Sequence, residues 1–125
     1  MTGAMISIFI PEPVGQRIAL NGGEPLDRLH LTLFFFGDAS NLTEGTKRAI
    51  LQTIRAIPDR FFPLDLSLKG TGRFDGKHEA GDAFYAKASS PALLQLREYL
   101  AHVFDSKGSA YSKDYAFNPH VTLAY

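Results

Sequence analysis

The sequence has no cysteine. That excludes a disulfide framework, a thiolate zinc site and a cysteine nucleophile, and it permits a reducing compartment. It has no excess of either charge: 13 Lys and Arg balance 13 Asp and Glu, for a net charge of zero. Proteins that grip long nucleic acid carry a basic excess to neutralise phosphates. No long duplex partner is therefore expected, while a small or terminal phosphate ligand stays open. No apolar run approaches the roughly 20 residues that span a bilayer. Residues 5–10 are apolar but too few, and they lack the basic flank of a signal peptide. A soluble, cytoplasmic protein without membrane association is the expectation. There is no low-complexity segment. The glycines near residue 70 are not followed by Gly-Lys-Ser/Thr, so a phosphate-cradling P-loop is absent.

What is present suits one α+β domain over residues 1–125. The chain is 45% hydrophobic and 12% aromatic, and a chain of this length buries roughly two-thirds of its unfolded surface. Residues 5–10 form a β-branched run stopped by Pro11 and Pro13, hence a strand. Residues 14–20 suit a turn or two of helix, closed by Asn21-Gly22-Gly23. Residues 29–36 make a long apolar strand. Residues 41–57 make a helix, with Thr43 as its cap, Ile50, Ile54 and Ile57 as its stripe, and Pro58 as its stop. Residues 62–68 alternate as a strand, and 70–76 suit a turn-rich hairpin. Residues 82–88 are a strand, and Ser89/Ser90-Pro91 opens a second helix through Phe104 with Leu93, Leu96, Leu100, Val103 and Phe104 on its stripe. Residues 119–125 are the last strand. A faint internal repeat links residues 5–36 with 82–125, each a strand, a connector and a second strand carrying His-x-Thr-Leu.

Those two motifs carry the chemistry. His30-Leu31-Thr32-Leu33 and His120-Val121-Thr122-Leu123 share one form. Strand side chains alternate faces, so His30 and Thr32 share one face while Leu31 and Leu33 take the other, and the second copy repeats this. Two such strands side by side would gather two imidazoles and two hydroxyls around one phosphate. In-line displacement at phosphorus needs a base for the attacking oxygen and an acid for the leaving one, both within reach of histidine near neutral pH. Threonine hydroxyls can hold the non-bridging oxygens. The spacing expected of imidazoles sharing one phosphate is about 5–8 Å. A lone His-x-Thr is commonly an incidental surface pair, but two copies in matching settings are not. No closely spaced histidine pair, no cysteine and few nearby acids are available, so no metal site and no cofactor are expected.

At these residues the chain resembles the two-histidine (2H) phosphoesterases, which include 2′–5′ RNA ligase-like proteins and RNA cyclic phosphodiesterases. The resemblance rests on the nine residues from His30 to Asp38, on Pro119-His120-Val121-Thr122-Leu123, and on the order of elements between them. It implies a bilobal, pseudo-two-fold α+β fold of antiparallel sheets with helices outside and a central cleft. It implies metal-free opening of a cyclic phosphate or cleavage of a 2′–5′ bond, with His30 and His120 catalytic and Thr32 and Thr122 binding substrate. The substrate would be a nucleotide or an RNA end. A cyclic-nucleotide-signal phosphodiesterase of anti-defence type, or a non-catalytic nucleotide-binding module, are the alternatives. The chain stops at Tyr125, directly after the second motif, where relatives continue. An abbreviated second lobe or a piece of a longer protein would follow, and the short first connector suits a compact phage- or bacterial-type member.

Further candidates are weighed against plainer roles. Phe34 and Phe36 share the face of His30 if the strand is regular, where they could stack on a base, although core packing is the commoner fate of such rings. Tyr85 and Lys87 share a strand face that could border the cleft. Lys69, Arg73 and Lys77 surround the glycine-rich turn and could attract phosphate, against the plainer reading of a charged hairpin. His78 sits beside Glu79 in a loop, and His102 lies off the main stripe of its helix.

Overall fold

The computed structural model describes residues 3–74, 83–113 and 117–124. Its strands are β1 (Gly3–Phe9), β2 (His30–Asp38), β3 (Ser67–Phe74), β4 (Ala83–Ser89) and β5 (His120–Ala124). Its helices are α1 (Glu12–Ile18), α2 (Glu44–Arg55) and α3 (Pro91–Lys107). The strands form one sheet in the order β1-β2-β5-β4-β3, and the β2/β5, β5/β4 and β4/β3 pairs are antiparallel. The α+β class expected from the sequence holds. The order also sets the two motif strands side by side, with β1 outside β2 and β4 outside β5. Two compact units divide the chain: the described residues of 1–5, 34–66 and 90–116, and those of 6–33, 67–89 and 117–125.

The first unit owes its order to capped helices. The Ser90 hydroxyl accepts from the Leu93 N–H at 3.0 Å, and Pro91 occupies the first turn of α3 with its φ already helical. Leu93, Leu96, Leu100 and Phe104 are buried along one stripe, as the spacing predicts. Gly108 ends the helix at φ 70°, a left-handed conformation that needs no Cβ. In α2 the Thr43 hydroxyl accepts from the Thr46 N–H at 3.1 Å, the expected cap. Its buried face differs from the expected isoleucine stripe: Ile50 is buried, Ile54 is exposed, and Thr53 takes the inner position. Thr53 can do so because its hydroxyl donates to the Ala49 carbonyl (2.8 Å) and accepts from Lys107 Nζ (2.9 Å), leaving no polar atom unpaired.

The second unit is mostly strand, and the course of the chain into and along β3 differs from expectation in two places. Residues 62–66 alternate in hydrophobicity yet make no ladder, and β3 begins only at Ser67. Pro63 brings no N–H to a ladder, and Phe62 of this alternating stretch is exposed. Residues 70–74, expected as a turn, instead continue β3, with the register shifting between Leu68 and Thr71. Gly70, at φ 76°, supplies the left-handed residue on which that irregularity turns. The remainder of the expected hairpin lies outside the described residues.

Candidate active site

All four motif side chains lie within the second unit. Leu31 is the cross-strand partner of Val121 in the β2/β5 ladder, and both are fully buried. Each such side chain contributes about 1.5–3 kcal/mol by leaving water, so the pair holds the register firmly. A one-residue slip would expose it. In an antiparallel ladder this pairing sets His30 opposite Thr122 and Thr32 opposite His120. Each histidine therefore stands across from the other motif's threonine, on the face opposite the buried aliphatics. Directly opposed Cβ atoms lie about 4.5–5.5 Å apart and diagonal ones, here the two histidines, about 7–8 Å.

Both imidazoles are held the same way. His30 Nδ1 donates to the Arg28 carbonyl at 2.7 Å, and His120 Nδ1 donates to the Asn118 carbonyl at 2.6 Å. A carbonyl only accepts, so Nδ1 carries the proton in each neutral ring and Nε2 keeps its lone pair. Protonation at Nε2 then leaves the Nδ1 contact intact. Each ring can thus act as base or acid through Nε2 without turning.

The outer strands repeat the match. The residue before each histidine accepts from its outer neighbour, Leu29 from the Ile10 N–H and Pro119 from the Ala88 N–H, both at 3.0 Å. Lys87, one residue before Ala88, pairs with His120 across β4/β5. Phe9, one residue before Ile10, takes the corresponding place beside His30, and their ring centroids are 6.1 Å apart. Tyr85 pairs with Thr122, and its ring lies 5.1 Å from the His120 imidazole. On its other side Tyr85 pairs with Gly72, where any Cβ would overlap the phenol ring.

Of the sequence candidates, His30, Thr32, His120, Thr122 and Tyr85 thus share one face, with Lys87 beside them. Two do not belong to it. Phe34 is 2% exposed: Phe104 and Tyr111 meet its ring edge-on at 5.2 and 4.9 Å, and the Arg97 guanidinium stands 3.8 Å from its centroid. No face is left for a base, so the stacking role is withdrawn and core packing stands. Desolvation beside these rings holds Arg97 below its ordinary pKa. Arg73 pairs with Phe84, with its guanidinium 5.8 Å from that ring. It alternates with Gly72 and so points to the face away from Tyr85, which removes it from the group. Lys69 is exposed on β3 and His102 on α3, while Lys77, His78 and Tyr125 lie outside the described residues. Sequence reading missed the two carbonyls, which no side-chain pattern can signal, and it missed Phe9. The alternation of Ile6, Ile8 and Ile10 did place Phe9 on the opposite face of β1, the only signal available.

Among the described residues no group of three or more His, Asp or Glu side chains is placed to hold a metal ion, and no helix is long and apolar enough to cross a membrane. The fold is similar to the crystal structure of TT0787 of Thermus thermophilus, with a TM-score of 0.71 at 24% identity over 98% of this chain and 73% of that one. It is also similar to the crystal structure of a phosphoesterase, with a TM-score of 0.60 at 21% identity over 96% of this chain and 70% of that one. No curated protein matches the sequence. The family model of the 2′-5′ RNA ligase superfamily matches residues 17–125, a span that includes both His-x-Thr motifs, and the chain belongs to that superfamily of two-histidine phosphoesterases.

Proposed function

We propose that the protein is a metal-independent phosphoesterase that hydrolyses a cyclic or 2′–5′ phosphodiester in a nucleotide or RNA end, with His30 and His120 as its acid–base pair. The observation that carries this reading is the Leu31–Val121 pairing, which brings both motifs to one sheet face in matched orientation. Superfamily membership and the similarity to a phosphoesterase support the reaction class.

The steps follow from the two Nε2 atoms. The neutral histidine takes a proton from water at Nε2 as the water oxygen bonds to phosphorus. The P–O bond to the leaving oxygen breaks, and that oxygen receives a proton from Nε2–H of the other, protonated histidine. The pair ends with its charge exchanged and is reset by proton transfer through solvent. Meanwhile the Arg28 and Asn118 carbonyls hold both rings in place in either protonation state. Thr32 and Thr122 donate to the non-bridging oxygens, where negative charge is greatest in the transition state. The zero net charge suits a short substrate over a long polyanion.

The test is a panel of 2′,3′-cyclic nucleotides, 2′–5′ dinucleotides and cyclic oligonucleotides incubated with the purified protein in EDTA. Turnover of at least one class, unaffected by chelator, is expected. Activity that disappears with EDTA and returns with a divalent ion would refute the scheme, and turnover of none would leave a binding module.

A further inference from the structure

The two sides of the candidate site are alike in backbone and unlike in side chain. Leu29 and Pro119 each accept from an outer-strand N–H at 3.0 Å, and the residue before each donor flanks a histidine. On the His120 side that residue is Lys87, exposed and cationic. On the His30 side it is Phe9, whose ring is 68% exposed and 6.1 Å from the imidazole. Singly exposed apolar side chains are ordinary on a protein surface, and what distinguishes Phe9 is that its open ring stands beside the His30 imidazole. Ile6 and Ile8, which alternate with it, are both less exposed.

We propose that Phe9 is a stacking platform for the substrate's nucleobase, so that the base lies on the His30 side of the scissile phosphate and the hydrated, anionic side of the substrate lies toward Lys87. The proposal rests on the phosphoesterase reading above and adds the direction in which the substrate binds. An exposed aromatic ring offers a π-face to any base and so confers base dependence without strict sequence preference. A lysine does the opposite: it attracts phosphate as a point charge and gains nothing from a base. Tyr85, the other ring near a histidine, cannot serve in the same way. It is buried, against the Gly72 strand on one side and the His120 ring on the other.

The experiment compares kcat/KM for adenosine 2′,3′-cyclic phosphate with that for methyl riboside 2′,3′-cyclic phosphate, which has the same ring and phosphate but no base. The intact protein should prefer the adenosine substrate on the order of ten- to a hundredfold. Phe9→Ser should abolish most of that preference, and Phe9→Trp should keep it. Lys87→Met should lower both substrates together. Preference unchanged in Phe9→Ser would overturn the proposal, as would an equal loss on both substrates that Phe9→Trp does not rescue. If the intact protein turns over neither substrate, the phosphoesterase reading fails for this class, and equilibrium binding of adenosine 2′-phosphate against ribose 5-phosphate decides the platform. Selective weakening of the adenosine ligand by Phe9→Ser supports it, and equal binding of both ligands by the intact protein refutes it.

Discussion

Leu31 and Val121 face each other across the β2/β5 ladder with no exposure to solvent, and this apolar pair fixes the register of the polar site on the other face. Truncating it should therefore cost stability first. Leu31→Ala is expected to lower the unfolding free energy by about 2–5 kcal/mol, read from urea denaturation. A loss below about 1 kcal/mol would mean that the register does not depend on this contact.

The matched contacts of His30 and His120 make a spectroscopic prediction. Both neutral rings should be the Nδ1–H tautomer, because Arg28 and Asn118 offer carbonyls at 2.7 and 2.6 Å. Long-range proton–nitrogen NMR distinguishes the tautomers directly. Finding Nε2–H in either neutral ring would remove that nitrogen as a base.

Thr32 and Thr122 should act on the transition state. Thr32→Val and Thr122→Val are each expected to lower kcat/KM by the equivalent of about 1–3 kcal/mol, with thermal stability little changed. Unchanged rates in the double variant would exclude the hydroxyls from catalysis.

How much of this was legible in the sequence differs from element to element. The duplicated His-x-Thr-Leu marked both strands, and the cap at Thr43 was visible because capping depends on neighbours in sequence. The boundary at Ser67 and the continuation of β3 through Gly70 and Gly72 were not visible, since they depend on cross-strand partners such as Tyr85. Phe34 illustrates the same limit. Alternation put it on the histidine face, but Phe104 and Tyr111, distant in sequence, cover its ring. The face of a residue follows from local geometry, and what covers that face does not.

Gly72 tests the role of Tyr85. A methyl group there would overlap the phenol ring, so Gly72→Ala should destabilise the protein by about 1–3 kcal/mol and lower activity by displacing the ring from His120. Combining it with Tyr85→Ala should recover part of the stability, as expected of residues in contact. Strict additivity in the double-mutant cycle would show that the two do not meet.

The central claim is that His30 and His120 divide one acid–base task, and steady-state hydrolysis by His30→Ala, His120→Ala and the double variant tests it most directly. The substrate is the one that the intact protein turns over in EDTA. Either single change should remove most of the activity and the double change should cost little more, because groups acting as a unit are strongly non-additive. The intact protein should show a bell-shaped pH–rate profile, one limb for each protonation state the mechanism requires. Near-normal turnover by either single variant, with chemistry shown to be rate-limiting, would contradict the account.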